Sequence, residues 1–126
     1  MREKIILIII ILLTIKLNAQ IVNYTTSDGL IDNYIECIAV DINDNIWFGS
    51  ANGVQMYDGV NWTIYNQANY PGMISNNIKC ITAMSNGDIW IGTDFGANQL
   101  VSGISSSSWI PYTLSLIHIS EPTRPS

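Results

Sequence analysis

Basic side chains and histidine are scarce in this 126-residue chain, which holds five lysines and arginines against ten acids, and one histidine. Between Gln20 and Thr113 the only base is Lys79, facing eight acids, so this segment carries a net charge of −7. Such a surface cannot neutralise a phosphate backbone, because that requires several lysines or arginines. Nucleic acid is therefore excluded as a partner.

The residue patterns of catalysis are missing too: there is no nucleophile motif, no glycine-rich phosphate loop and no histidine cluster. Asp41–Asn45 resembles part of a calcium loop, but no late bidentate glutamate follows it, so a plain hairpin turn is predicted. Asp32 and Glu36 have no evident acid–base partner, which disfavours paired-carboxylate hydrolysis. We predict no enzyme activity, no cofactor and no metal for this chain.

What the chain does contain is a repeat. Asn43–Gly53 and Asn86–Gly96 align without a gap, at a spacing of roughly forty residues that is typical of propeller blades. The matching pairs, read back along both copies, are Gly53 with Gly96, Gly49 with Gly92, Trp47 with Trp90, Ile46 with Ile89, Ile38 with Ile81, Cys37 with Cys80, Ile35 with Ile78 and Asn33 with Asn76.

Each copy contains four short apolar runs separated by turn residues, which predicts a four-stranded antiparallel meander. The predicted strands are Tyr34–Val40, Ile46–Gly49, Val54–Tyr57, Asn61–Tyr65, Ile78–Met84, Asp88–Gly92, Ala97–Val101 and Trp109–Tyr112. A further extended piece is predicted at Ile21–Thr25, and Asn86-Gly87 indicates a two-residue type I′ turn. Stacking such sheets around an axis hides both apolar faces. The fold class is therefore all-β, with two blades of an incomplete propeller.

Six positions form the structural signature of the repeat: Trp47, Gly49, Gly53, Trp90, Gly92 and Gly96. A tryptophan on a central strand provides a large planar surface that seals the gap between neighbouring sheets, and this role is preferred over ligand stacking. The first glycine of each copy permits close approach of another backbone. The second glycine suits a turn position with positive φ.

The two cysteines, Cys37 and Cys80, occupy equivalent places in the two copies. They are therefore expected to lie side by side across the gap between the blades, with parallel side chains. Export would permit a disulfide, but a bridge needs Cα atoms within ~7 Å. We predict two buried free thiols that act as small apolar side chains.

Both ends of the chain differ from the repeats. Met1–Ala19 has the basic start, the apolar run Ile5–Ile15 and the small-residue cleavage site of a secretory signal peptide, so the mature chain is predicted to be exported. Leu114–Arg124 resembles the conceptual translation of a sequencing-library adapter, which leaves His118 without biological meaning. The predicted division is residues 1–19 signal peptide, 20–65 repeat one, 66–113 repeat two and 114–126 non-native tail.

The repeats resemble those of the two-component regulator propeller family. The residues that carry the resemblance are Asn45–Ser50 with Asn52-Gly53-Val54 and Tyr57-Asp58-Gly59, Asp88–Thr93, and the lead-in Asp28-Gly29-Leu30. The second copy departs from the pattern, since Met84 replaces Asp41 and residues 99–101 replace 56–58, which predicts a less regular blade. The resemblance implies a periplasmic or extracellular β-propeller and offers no catalytic residue to carry over.

In many proteins of this kind the propeller is the amino-terminal sensor of a membrane-spanning hybrid histidine kinase, often detecting glycan fragments in Bacteroidetes-like bacteria. The first hypothesis is accordingly the amino-terminal fragment of such a sensor, with the kinase and any membrane contact in missing downstream regions. The alternative is a secreted or cell-surface structural propeller without a kinase, and a propeller-fold hydrolase or lyase is the third.

The expected partners are a glycan or other small extracellular ligand and the remaining blades. The ligand is expected on one axial face, near Tyr65–Tyr70 and Gly72–Asn77, although no binding residue is assigned. Because two blades cannot close a ring, we expect residues 20–126 alone to aggregate or to be only partly ordered.

Overall fold

A computed structural model describes residues 18–103 and 109–114. Eight strands follow one another: β1 Cys37–Val40, β2 Ile46–Ser50, β3 Gly53–Tyr57, β4 Trp62–Tyr65, β5 Ile78–Ala83, β6 Ile89–Thr93, β7 Gly96–Leu100 and β8 Trp109–Tyr112. They form two four-stranded antiparallel sheets in the orders β1-β2-β3-β4 and β5-β6-β7-β8. The predicted all-β fold and the two four-stranded meanders are confirmed. We call the sheets blade 1 and blade 2.

The two blades keep one register despite their sequence differences. Trp47 lies opposite Met56 in blade 1, and Trp90 lies opposite Gln99 in blade 2. The departures at residues 99–101 leave the pairing of β6 with β7 in place. Blade 2 is nevertheless less regular than blade 1, as expected, because its register shifts between Ile78 and Cys80.

The hydrophobic core lies between the two sheets. Its buried members are Trp47, Val54, Tyr65, Met73, Ile78, Ile81, Ile89, Ile91 and Trp109. Alternation along the strands places Trp47 and Val54 on one face of blade 1, and Ile89, Ile91 and Trp109 on the facing side of blade 2. Strand β5 packs against β1 and β2, so the first strands of the two blades lie close together, as they do around a propeller axis.

The outer faces of the pair are less covered. Ile38 and Val40 of β1 are exposed on the side of blade 1 that faces away from blade 2. On the far side of blade 2, Cys80 and Thr82 are exposed as well. We call these the leading face of blade 1 and the trailing face of blade 2. Neither face is covered by a neighbouring sheet within the described residues.

The turns between the first two strands of each blade differ from the prediction. In blade 2, the amide of Gly87 donates to the carbonyl of Met84 at 3.0 Å, so Ser85 and Asn86 are the central turn residues. Gly87 follows with φ +93, whereas Asn86 does not have positive φ, so the predicted two-residue type I′ turn is wrong. The geometry is a three-residue loop that ends in the left-handed region. Asp44 takes the corresponding place in blade 1, with φ +63.

The signature glycines Gly49 and Gly92 have a different role from the one predicted. Each lies opposite a cysteine of the neighbouring strand, and a Cβ on either glycine would meet that cysteine's Sγ. On Gly49 the added atom would also lie 2.7 Å from Cγ2 of Ile78 in blade 2. These glycines therefore make room for side chains rather than for another backbone.

This arrangement predicts unequal effects of two equivalent substitutions. Gly49→Ala is expected to lower the free energy of unfolding by about 1–3 kcal/mol, because the new methyl group collides with Cys37 and with buried Ile78. Gly92→Ala is expected to cost less, since only the exposed Cys80 must turn aside. Urea denaturation of both variants at one protein concentration measures the difference. Equal losses would show that Ile78 does not restrict position 49.

The segment before blade 1 contains a capped turn. A 3₁₀ turn spans Thr26–Asp28, with Thr25 as its N-cap and Gly29 as its left-handed C-cap. Thr25 and Asp28 exchange the reciprocal hydrogen bonds of a capping box. The piece predicted to be extended, Ile21–Thr25, precedes this turn and joins neither sheet. Tyr24 packs on Tyr57 and Trp62 of blade 1, with ring centroids 5.7 and 5.9 Å away.

Two predictions concern regions outside the described residues. They are the signal peptide, of which only Asn18 and Ala19 are described, and the non-native tail, of which only Leu114 is described. Within the described part of the chain, no helix has the length and apolar character needed to cross a membrane.

Candidate functional site

One end of each sheet carries a polar rim. The segment leading into the first strand and the turn between the second and third strands meet at this end, because antiparallel strands reverse direction at each turn. We call residues 29–36, 51–52, 72–77 and 94–95 together the lead-in rim. Loops held on a rigid sheet are where binding residues concentrate in such folds.

A buried amide fixes the lead-in segment of blade 1. Gln55 is 0% exposed, accepts a hydrogen bond from the Ile31 amide at 2.7 Å and donates one to the Gly29 carbonyl at 2.7 Å. The buried side-chain amide of Gln55 thus has both of its polar atoms paired, as buried polar groups require. We call this arrangement the amide clasp.

Blade 2 repeats the clasp with a shorter side chain. Asn98 is also 0% exposed, accepts from the Ile74 amide at 3.0 Å and donates to the Gly72 carbonyl at 2.9 Å. Neither clasp residue was predicted from the sequence. The available signal was that Gln55 and Asn98 are amide side chains at equivalent positions of the two repeats.

Carboxylates on the lead-in rim are tied to the adjacent turn in both blades. In blade 1, Asn52 donates to Oδ2 of Asp32 at 2.9 Å. In blade 2 the acid lies in the turn instead: Asp94 accepts from the Ser75 hydroxyl at 2.6 Å and from Nδ2 of Asn77 at 3.3 Å. The bond from the Ser75 hydroxyl is the main reason that the pKa of Asp94 lies below its ordinary value.

The rim also displays two aromatic side chains. Tyr34 is 70% exposed in the lead-in of blade 1, and Phe95 is 73% exposed in the β6–β7 turn of blade 2. The tryptophans are placed differently: Trp47 is 3% exposed within the core, and Trp90 packs half-buried on Tyr112 at 5.2 Å. The flat surfaces available for stacking are therefore those of Tyr34 and Phe95.

Hydrogen bonds and ring contacts fix the conformation of the loop that was expected to lie near a ligand. In Tyr65–Tyr70, the Tyr70 amide donates to the Asn66 carbonyl at 2.8 Å, and the two tyrosine rings lie 5.0 Å apart. The amide of Gln67 donates to Oδ1 of Asn76 at 2.7 Å, which joins this loop to the rim. The loop therefore braces blade 2 against Tyr65 of blade 1.

At the opposite end of blade 1, Asp41 organises the hairpin turn. Its carboxylate accepts from Trp47 Nε1 at 2.8 Å, from the amides of Asn43 and Asn45, and from the Asn45 side chain at 3.0 Å. These hydrogen bonds to the Asp41 carboxylate are those of a plain hairpin turn. In the described part of the chain, no group of three or more histidine, cysteine, aspartate or glutamate side chains could hold a metal ion.

Asp41 links stability to pH. Partial burial opposes its ionisation, but the hydrogen bonds from Trp47 and Asn45 outweigh that effect and lower the pKa below 3.8. A carboxyl whose pKa is lower in the folded than in the unfolded chain stabilises the fold above the unfolded pKa. That contribution is lost as the pH falls through the folded pKa.

We therefore expect the free energy of unfolding to fall on acidification below pH 3.8. Asp41→Asn should lower stability at pH 7 by about 1–3 kcal/mol and flatten the acid dependence, because an uncharged acceptor replaces a carboxylate. Asp44→Asn, an exposed change in the same turn, serves as the control. Urea titrations between pH 2 and pH 7 test this, and an unchanged acid slope in Asp41→Asn would contradict it.

In blade 2 the carboxylate that holds the hairpin turn belongs to Asp88. Asp88 accepts from the Ser102 amide at 2.9 Å, from Gln99 Nε2 at 2.9 Å and from Asn86 Nδ2 at 3.1 Å. The Ser102 amide contributes most to holding the pKa of Asp88 below its ordinary value. The hairpin thus keeps a carboxylate anchor although Met84 stands where blade 1 has Asp41.

Both cysteines are free thiols, as predicted, but their burial differs from the expectation. Cys37 is half-buried between the blades. Burial is the main cause that raises the pKa of its thiol, and the electrostatic effect of the nearby Cys80 raises it further. Cys80 is exposed because it lies on the uncovered trailing face of blade 2. A thiol with a raised pKa is a weaker nucleophile at neutral pH, which fits a packing role for Cys37.

Comparison with known proteins supports the sequence resemblance. Residues 29–52 match the family model described as two component regulator propeller. A solved structure, the extracellular domain of a hybrid two component system protein from B. thetaiotaomicron, is similar over 75% of this chain with 26% identity and a TM-score of 0.63. The matched region spans 13% of that structure's chain. No curated protein matches this chain.

Proposed function

From the two component regulator propeller repeat at residues 29–52, we propose that this chain forms the amino-terminal blades of the extracytoplasmic sensor propeller of a two-component signalling protein, a hybrid histidine kinase. The observation that carries the proposal is the pair of four-stranded blades, similar in sequence and fold to the extracellular domain of a hybrid two component system protein. The location is extracytoplasmic, which agrees with the signal peptide predicted at residues 1–19.

In this proposal the chain binds and does not catalyse. The kinase follows downstream of a membrane segment, and further blades complete the ring. The exposed leading and trailing faces support that role, since a propeller buries both faces of each blade. Sequencing of the source locus past the codon for Thr113 tests it. Further blades, a membrane helix and a kinase are expected, and a stop codon after Ser126 in the genomic DNA would overturn it.

The ligand we propose is a neutral glycan fragment, bound at the lead-in rim. Exposed aromatic rings provide flat apolar surfaces for sugar faces, and amides and carboxylates beside them offer hydrogen bonds to hydroxyl groups. Tyr34 and Phe95 supply the rings, and Asn52, Asp32 and Asn77 lie in the adjoining segments. The net charge of −7 between Gln20 and Thr113 disfavours acidic sugars.

Binding of the chain to an array of neutral and uronic-acid oligosaccharides tests this assignment. The double variant Tyr34→Ala/Phe95→Ala is expected to abolish binding to neutral oligosaccharides. Val60→Ala, which removes an exposed apolar side chain in the β3–β4 turn at the other end of the sheet, should leave binding unchanged. Binding that survives the double variant would exclude the rim as the ligand site.

A further inference from the structure

The segment that precedes the capped turn is exposed. Ile21 and Val22 are 90% and 57% exposed, and residues 18–20 and 23 are exposed as well. Within the described part of the chain, residues 18–23 make no hydrogen bond. Backbone that is exposed and free of hydrogen bonds is where proteases cut, so the bond between Ala19 and Gln20 is accessible at the predicted cleavage site of the signal peptide.

Cleavage at this bond makes Gln20 the N-terminal residue. The new α-amino group and the side-chain amide then belong to the same residue, and attack of the α-nitrogen on Cδ closes an unstrained lactam ring. Groups held together in this way react at an effective concentration far above that of separate molecules. An α-amino group is partly unprotonated near neutral pH, which makes its nitrogen available as a nucleophile.

The surroundings of Gln20 leave this reaction unhindered. Its side chain is exposed and makes no hydrogen bond to another described residue, so nothing in this part of the structure holds the amide away from the new terminus. The next residues, Ile21 and Val22, are exposed too and do not enclose it. Gln20 therefore has the freedom that ring closure requires.

We propose that Gln20 becomes the N-terminal residue of the exported chain and cyclises to pyroglutamate. The bond between the α-nitrogen and Cδ forms, the bond between Cδ and Nε2 breaks, and Nε2 leaves as ammonia with a proton from the α-amine. No oxidant, reductant or second substrate is consumed. The inference rests on the extracytoplasmic location in the proposed function, because it requires removal of the signal peptide.

The modification protects the contact that holds this segment on blade 1. Tyr24 packs on Tyr57 and Trp62 with ring centroids 5.7 and 5.9 Å away, and only the exposed residues 20–23 lie between it and the new terminus. An aminopeptidase starts at a free α-amine and would reach Tyr24 after a few steps. A lactam has no free α-amine, so the capped chain keeps its tyrosine anchor.

Mass spectrometry of the exported chain tests the modification. The complete chain is expressed in a bacterial host, and the exported product is analysed after denaturation, so neither folding nor association affects the result. The expected mass is that of residues 20–126 less one molecule of ammonia. The fraction in this form should rise to completion during incubation at neutral pH.

Gln20→Asn is the matched control. It keeps an exposed side-chain amide, but the chain is one methylene shorter, so the same attack would have to form a strained four-membered lactam. This variant should be cleaved at the same bond and retain its ammonia over the same incubation. Treatment with a broad-specificity aminopeptidase should then remove Tyr24 from Gln20→Asn and leave the unchanged chain intact.

The outcomes separate this inference from the proposed function. A product that keeps residues 1–19 would count against both, because the chain would carry no cleaved signal peptide. A product cut after Ala19 that retains its free amine and its full mass would exclude the cyclisation alone, and so would cleavage at a different bond. Loss of Tyr24 from the cyclised chain would show that the lactam does not protect the anchor.

Discussion

Trp47→Ala is expected to lower the free energy of unfolding by about 3–5 kcal/mol, the loss typical of a large aromatic side chain removed from a core. The indole is 3% exposed, stacks on Tyr65 at 5.5 Å and meets Trp109 of blade 2 edge-on at 6.5 Å. Its Nε1 also donates to Asp41 at 2.8 Å. The substitution therefore opens the junction between the blades and releases one hydrogen bond of the hairpin turn.

Trp90→Ala provides a matched control for that measurement. The residue has the same position in blade 2, but it packs on Tyr112 at the uncovered trailing face and is only half-buried. We expect a clearly smaller loss in urea denaturation, performed at a concentration where the chain is monomeric so that association does not add to stability. Similar losses for the two variants would contradict the assignment of the core to the space between the blades.

Gln55→Leu is the second change with a large expected effect. It removes both bonds of the amide clasp and leaves the Ile31 amide and the Gly29 carbonyl without their partner. A lost hydrogen bond costs about 0.5–1.5 kcal/mol, so the loss of both should lower stability by about 1–3 kcal/mol. Hydrogen exchange should show the reason directly, as the Ile31 amide becomes unprotected.

Gln99→Leu is the matched control, because it removes a side-chain amide from a strand without touching the clasp. Gln99 bonds to the side chains of Asp88 and Tyr112 in a half-buried position, so its removal should cost only about 1 kcal/mol. Protection of Ile31 should be unchanged in that variant. If Gln55→Leu retains protection at Ile31, the lead-in segment is held by contacts other than the clasp.

The strands were predictable from sequence because each apolar run is bounded by turn residues and the second copy repeats the first. The eight observed strands all lie in the predicted places, with ends shifted by a few residues. The largest shift is at β1, predicted from Tyr34 but starting at Cys37, because the Tyr34 amide is taken by Asp32 Oδ1 in a local turn. Such a competing side-chain bond leaves no mark in hydrophobic periodicity.

The candidate site was less predictable. Gln55 and Asn98 have the polarity of solvent-facing strand residues, and only the fold shows that their partners are backbone groups distant in sequence. The Asn86-Gly87 pair predicted a two-residue turn, but the ladder closes between Met84 and Asp88 and makes the loop one residue longer. Pairing register, which decides both features, depends on side-chain packing across the sheet.

The amide clasp has a consequence for how such repeats diverge after duplication. The clasp residues, Gln55 and Asn98, hold the lead-in backbone by two bonds each, whatever the neighbouring rim side chains are. Tyr34 in one copy has become Asn77 in the other, and Asn52 has become Phe95, while the clasp persists. Rim side chains can therefore differ from repeat to repeat without loss of the backbone scaffold that carries them.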